Sequence, residues 1–195
     1  MATQNIAFAA LRMQPFTNGH FRIISRMIRD NDMVIIGLGS VQVEGTSSNP
    51  FSAKQRTEML RRVFGKSSKI KIIPLHDIGA KERYEWVEYC MAQIKGKQLP
   101  TPTRYYAGSK TDLDWFVDSV NDNGESIELI DLERHKTNIL SGTFVRQSIS
   151  TGTDEWKNSV PECLIDYIQD EYPEDLLLEF HREKKRGFSP SGEFC

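Results

Sequence analysis

Two segments of this chain carry residue types suited to holding phosphate. The first is Arg12-Met13-Gln14-Pro15-Phe16-Thr17-Asn18-Gly19-His20. The second is Ser141-Gly142-Thr143-Phe144-Val145-Arg146. Gly19 has no Cβ, so an anion can come close to the backbone. His20 adds a donor able to carry charge near neutral pH. Ser141 can cap a helix and leave the Gly142 and Thr143 N–H groups for an anion. Arg12 and Arg146 offer guanidiniums, which make bidentate contacts to phosphate. Two helix starts, one imidazole and two guanidiniums around one volume describe a polyphosphate site rather than a metal cage.

Such a site needs elements that bring residues 12–20 and 141–146 together. Short apolar runs alternate with helical patterns along the chain. Strands are expected at Ile6–Met13, Met33–Ser40, Lys69–Pro74, Arg104–Gly108 and Ser126–Leu132. Nearly continuous apolar runs of this length suit parallel strands buried on both faces. Between the first two, Phe21, Ile23, Ile24, Met27 and Ile28 recur at helical spacing over 21–28. Ser52 and Gln55 form a capping-box pair opening a helix that Gly65 closes. Further helices are expected at Tyr84–Ile94, Thr111–Val120 and from Thr143 to about Arg182, with Pro161 as the first residue of a helix. Asn121–Glu125 reads as a turn.

This alternation implies an α/β protein: a Rossmann-like open parallel five-stranded sheet with right-handed crossovers and C-terminal helices. Residues 1–185 are expected to form one domain, with 1–150 as sheet core, 151–185 as a helical part and 186–195 as a flexible tail. In such sheets ligands bind beyond the carboxyl ends of the strands. Polar groups cluster there. Arg12, Gln14, Thr17 and His20 follow the first strand, and Ser40 and Gln42 the second. His76 and Asp77 follow the third, and Gly108, Ser109 and Lys110 the fourth. His135, Ser141, Thr143 and Arg146 lie beyond the fifth.

A net charge of −2 over 195 residues weighs against a nucleic-acid binder that works by neutralising phosphates. The basic run Lys184-Lys185-Arg186 reads as a solvated face. Cys90, Cys163 and Cys195 give neither a disulfide framework nor a CxxC metal spacing, and read as reduced thiols. No apolar run approaches the ~18 residues needed to span a bilayer, and no leader pattern opens the chain. A cytoplasmic protein is expected.

In order, the motifs resemble the nucleotidyltransferase superfamily, with its [HT]-x-G-H and I-S-x-T-x-x-R signatures. More closely the chain is similar to archaeal-type nicotinamide mononucleotide (NMN) adenylyltransferases. Besides the two phosphate segments, the likeness rests on Ile36-Gly37-Leu38-Gly39-Ser40-Val41-Gln42, Asn49-Pro50-Phe51-Ser52-Ala53 with Arg56, Ile73-Pro74 with Asp77-Ile78, and Trp86-Val87. It covers roughly residues 5–170. Thr17 stands where many relatives have a histidine, and Ser48 where some have an arginine. Lys81 and Arg83 stand where archaeal relatives often place an asparagine. No Nudix pattern is present, so no such hydrolase activity is expected.

The resemblance implies in-line attack of the NMN phosphate on the ATP α-phosphorus, giving NAD and pyrophosphate. It implies His20, Thr17 and Arg146 as catalytic residues. The ATP side would be Arg12, Met13, Gln14, Gly19, Gly108, Ser109, Ser141, Gly142 and Thr143. The NMN side would be Ser40, Asn49, Asp77 and Trp86, with Trp86 stacking on the pyridine ring. Mg²⁺ would arrive on the triphosphate, with no metal held by protein ligands alone. Expected partners are ATP, NMN and NAD, with no nucleic acid and no membrane; a homo-oligomer is left open. Other acceptors within the superfamily (pantetheine phosphate or FMN, or CTP as donor) and a non-catalytic nucleotide sensor remain alternatives.

Overall fold

The computed structural model describes residues 4–132 and 141–177. His135 and the expected tail at 186–195 lie outside the described residues, as does the end of the expected C-terminal helical part. The strands are β1 (Ile6–Leu11), β2 (Met33–Leu38), β3 (Ile70–Pro74), β4 (Arg104–Ala107) and β5 (Glu128–Asp131). They form one parallel sheet in the order β3-β2-β1-β4-β5. The expected α/β class and five-stranded parallel sheet hold.

Alternation along the strands explains why helices cover both faces. Ala7 and Ala9 of β1 and Val34, Ile36 and Leu38 of β2 point to one core. There they meet Ile23, Ile24 and Met27 of α1 (Asn18–Asp30) and Met59 and Leu60 of α2 (Ala53–Phe64). Ile6, Phe8 and Ile35 point to the other core, with Cys90 and Ile94 of α3 (Arg83–Gly96) and Leu113 of α4 (Lys110–Asp114). Side chains two apart share a face in a strand, so each strand feeds both layers. Past α5 (Gly142–Ser150), two 3₁₀ turns at Glu155–Ser159 and Glu162–Leu164 lead into α6 (Ile165–Glu171). Trp156, Leu164 and Ile168 bury themselves against the first core.

The local signals for α2 act as expected. Ser52 caps it, exchanging bonds with Gln55, and Gly65 ends it at φ +66°. Four departures stand out. Helix α1 begins at Asn18, so Gly19 and His20 lie in its first turn rather than in a loop before it. Helix α4 stops at Asp114 instead of continuing to Val120. There Phe116 is drawn onto the sheet, its ring stacked 3.9 Å from Tyr105, and Asp118 turns the chain at φ +64°. Strand β5 starts at Glu128 because Ser126 pairs instead with Val120 in an isolated antiparallel bridge. Pro161 stands just before a 3₁₀ turn rather than opening a long helix.

Among the described residues no helix is long and apolar enough to cross a membrane.

Candidate active site

The strand order reverses between β1 and β4, which opens a crevice above their carboxyl ends. A cleft of about 550 Å³ lies there. Its floor is Ala10 and Leu11 at the end of β1 and Ala107 and Gly108 at the end of β4. Its walls bring together Arg12, Met13, Gln14, His20, Asp77, Trp86, Gly108, Ser141, Gly142, Thr143 and Arg146. All of these were expected from the sequence, and they come from five separate segments.

The β1 loop and helix α5 are locked to one another. The Arg146 guanidinium donates from Nη1 to the Gln14 carbonyl at 2.5 Å and from Nη2 to Thr143 Oγ1 at 3.2 Å. A Cβ on Gly142 would sit 2.7 Å from that same Gln14 oxygen, so only glycine permits the approach. Ser141 caps α5 by accepting the Phe144 N–H at 3.1 Å. Two guanidiniums therefore share the cleft. Burial, and next the nearby positive charge of Arg12, lower the pKa of Arg146. Among the described residues neither Arg12 nor Arg146 pairs with a carboxylate. An anion between them would relieve the repulsion.

Behind this wall sits Arg56, fully buried on α2. It donates from Nη1 to the carbonyls of Arg12 and Gly39, both at 2.7 Å, and from Nη2 to that of Ser40 at 3.3 Å. Burial, and next the charge of Arg12, lower its pKa to about 10. Met13 and Ser40 take left-handed φ values of +50° and +51°, uncommon for residues with a Cβ. They close β1 and β2 respectively, and Arg56 holds the peptide groups beside both. Sequence showed Arg56 only as part of the resemblance; its role as a clamp needed the structure.

Five expected site residues are not on the cleft wall. Thr17 is fully buried at the start of α1, where its N–H meets the His20 ring. Gly19 lies in the same turn without reaching the cleft. Ser40 stands behind Asp77 and donates to its Oδ1 at 2.9 Å, while Gln42 donates to Oδ2 at 2.9 Å. Ser109 caps α4 through the Asp112 N–H and donates to the Asp112 carboxylate. Asn49 is buried in the β2–α2 segment and its N–H bonds to Thr46 Oγ1. Gln14 lines the cleft, but its amide bonds both ways to the Phe51 backbone, at 2.7 and 2.9 Å. This ties Gln14 to the Asn49-Pro50-Phe51 segment. Lys81 and Arg83 also stay off the wall: the Lys81 N–H bonds to Glu85, and Arg83 bonds to the Asp114 carbonyl.

Sequence reasoning missed Trp115, Asp112, Ile78 and Gly79, all on the cleft wall. Asp112 and Trp115 are three apart after β4, a spacing that puts both on one face. That spacing was present in the sequence. Among the described residues no group of three or more His, Cys, Asp or Glu could hold a metal ion. Among the described residues, Asp77 and Asp112 are the carboxylates of the wall.

Residues 12–148 match the cytidylyltransferase-like family model. A nicotinamide-nucleotide adenylyltransferase of Methanoculleus marisnigri is 30% identical over 160 residues, 82% of this chain and 87% of that protein. A crystal structure of a bifunctional NMN adenylyltransferase/ADP ribose pyrophosphatase from Francisella tularensis shares the fold, with a TM-score of 0.69 at 21% identity over 98% of this chain. The same bifunctional protein complexed with AMP and a manganese ion gives 0.65 at 20% identity, again over 98% of this chain. This chain spans 58% of the length of that protein.

Proposed function

The chain belongs to the cytidylyltransferase-like family, and from that membership we propose that it transfers AMP from ATP to NMN, giving NAD and pyrophosphate. One observation carries the reading beyond family likeness. The start of α5 and the β1 loop meet at the point where the strand order reverses, and they place Arg12 and Arg146 on one cleft without a carboxylate partner for either among the described residues. Such a cleft favours a chain of phosphates.

A phosphate oxygen of NMN attacks the α-phosphorus of ATP. The bond from that phosphorus to the bridging oxygen breaks, and pyrophosphate leaves with the electron pair. The nucleophile is already anionic, so no general base is needed; catalysis is positioning and charge stabilisation. His20 donates to the α-phosphate. Arg146, Arg12 and the N–H groups opening α5 hold the β- and γ-phosphates and the leaving group. Thr17 acts through His20. Gly108 borders the adenine.

On the acceptor side, Trp86 stacks on the pyridinium ring, a contact worth ~0.5–2 kcal/mol. Asp77 is oriented by Ser40 and Gln42 and accepts hydrogen bonds from NMN. The divalent ion, which we take to be Mg²⁺, enters on the nucleotide and stays mostly hydrated. Cys90 and Cys163 are free thiols, which fits work in the reducing cytoplasm.

The test is an incubation with ATP, Mg²⁺ and, in parallel, NMN, nicotinic acid mononucleotide, pantetheine phosphate or FMN. NAD and pyrophosphate should form in equal amounts with NMN. Formation of a different adenylylated product in preference would overturn the acceptor assignment. His20→Ala should keep the fold and lose turnover by ~10²-fold, the scale of one lost transition-state donor.

A further inference from the structure

His20 occupies the third position of α1, where a capping-box Glu or Gln accepts a bond from the N-cap main chain. Here an imidazole does so. The Thr17 N–H donates to His20 Nδ1 at 3.0 Å, and Thr17 Oγ1 lies 2.9 Å from the same nitrogen. A main-chain N–H can only donate, so Nδ1 must be an unprotonated acceptor, and the ring proton sits on Nε2.

The surroundings hold this state. Thr17 is fully buried and His20 is 7% exposed, so water cannot easily replace Nδ1 as acceptor. Phe16 covers one flank, its ring centroid 5.6 Å from that of His20. Among the described residues, the charged side chains of the cleft wall are Arg12, Arg146, Asp77 and Asp112. The two guanidiniums oppose a third positive charge. Asp77 is engaged by Ser40 and Gln42, and Asp112 by Ser109.

We propose that the Thr17 main chain is a positioning group that holds His20 as the neutral Nε2–H tautomer, so that His20 serves as an uncharged hydrogen-bond donor. The tautomer stands on the geometry alone; the donor's role rests on the transfer reaction proposed above. Positive charge in the site then comes from Arg12, Arg146 and the nucleotide's own divalent ion. It also follows that Thr17 needs no imidazole of its own: its main-chain N–H donates to Nδ1, and its hydroxyl lies beside the same nitrogen.

The experiment uses the full chain labelled with ¹⁵N-histidine. Long-range ¹H–¹⁵N correlation reads both ring nitrogens, with His20 assigned by its disappearance in His20→Gln. At pH 7, Nδ1 should show the shift of a non-protonated nitrogen and Nε2 that of a protonated one. The pattern should persist with Mg²⁺ and a methylene-bridged ATP analogue bound. A protonated Nδ1 at pH 7, in either state, overturns the proposal.

A second arm uses turnover. In His20→Gln the amide oxygen can accept the Thr17 N–H while the amide NH₂ donates, so the cap and a neutral donor both survive. It should turn over at least ~10-fold faster than His20→Ala. Folded His20→Gln at the level of His20→Ala would remove the neutral-donor role. Wild-type protein that makes no NAD would instead overturn the transfer reading and leave the nitrogen result standing.

Discussion

The Arg146 guanidinium and the Gln14 carbonyl, 132 positions apart in sequence, meet at 2.5 Å. That bond joins the two phosphate-type segments into one wall. Gly142 lies against the same carbonyl, so the guanidinium bond and the missing Cβ serve one contact.

Gly142→Ala should therefore act as a wedge. Its methyl group would approach the Gln14 oxygen to 2.7 Å and Arg146 Nη1 to 3.3 Å. Helix α5 must move away from the β1 loop by a few tenths of an ångström or more. We expect a folded protein whose kcat/KM for ATP falls by ~10-fold or more, because small misplacements at reacting groups are expensive. Steady-state kinetics with a melting curve measure both halves; unchanged kinetics would mean the contact has no bearing on the site.

Arg146→Lys keeps the charge but not the fork. A lysine cannot reach Gln14 and Thr143 while presenting a planar face to phosphate. We expect Arg146→Lys to fall close to Arg146→Ala, both losing about 10²-fold in kcat/KM. Recovery of most activity in the lysine variant would show that charge alone suffices.

Trp86 and Trp115 line the same cleft from different segments. Trp86→Ala should raise KM for NMN more than KM for ATP. Equal effects on both substrates would remove Trp86 from the acceptor pocket. Trp115→Ala, measured beside it, reports which substrate the α4 side of the cleft contacts.

Arg56→Met should destabilise the fold by about 3 kcal/mol or more. It leaves the Arg12, Gly39 and Ser40 carbonyls without their donor in a buried setting. Arg56→Lys should be intermediate, since one ammonium cannot span the same acceptors. Denaturant midpoints measure this, and a Met variant as stable as the parent would refute the clamp.

Burial raises the pKa of Cys90 from 9.0 to about 12. The folded state thus keeps its proton where the unfolded chain loses it. Stability from this group is complete below about pH 9 and falls as pH rises towards 12. Unfolding free energy should drop as pH rises from about 9 towards 12, and Cys90→Ala should lower stability overall but flatten that slope. A slope unaltered by the substitution would contradict the assignment.

Much of this protein was legible because its signals are local. Apolar runs marked all five strands, and Ser52, Gln55 and Gly65 marked both ends of α2. The phosphate-type residues 12–20 and 141–146 were legible too, since helix starts, small residues and guanidiniums carry their chemistry in their type and spacing. What sequence could not decide was who meets whom. Parallel pairing of β4 with β1, Ala7 opposite Arg104, is a long-range choice, and it alone brings Gly108 and Trp115 to the cleft. Side-chain direction was likewise a tertiary matter. Thr17 and Ser40 have the right types for ligand contact, yet the fold turns each side chain to a neighbour inside the protein. Residue type limits which bonds are possible, whereas packing, through burial and the need to satisfy every buried donor, selects those that form.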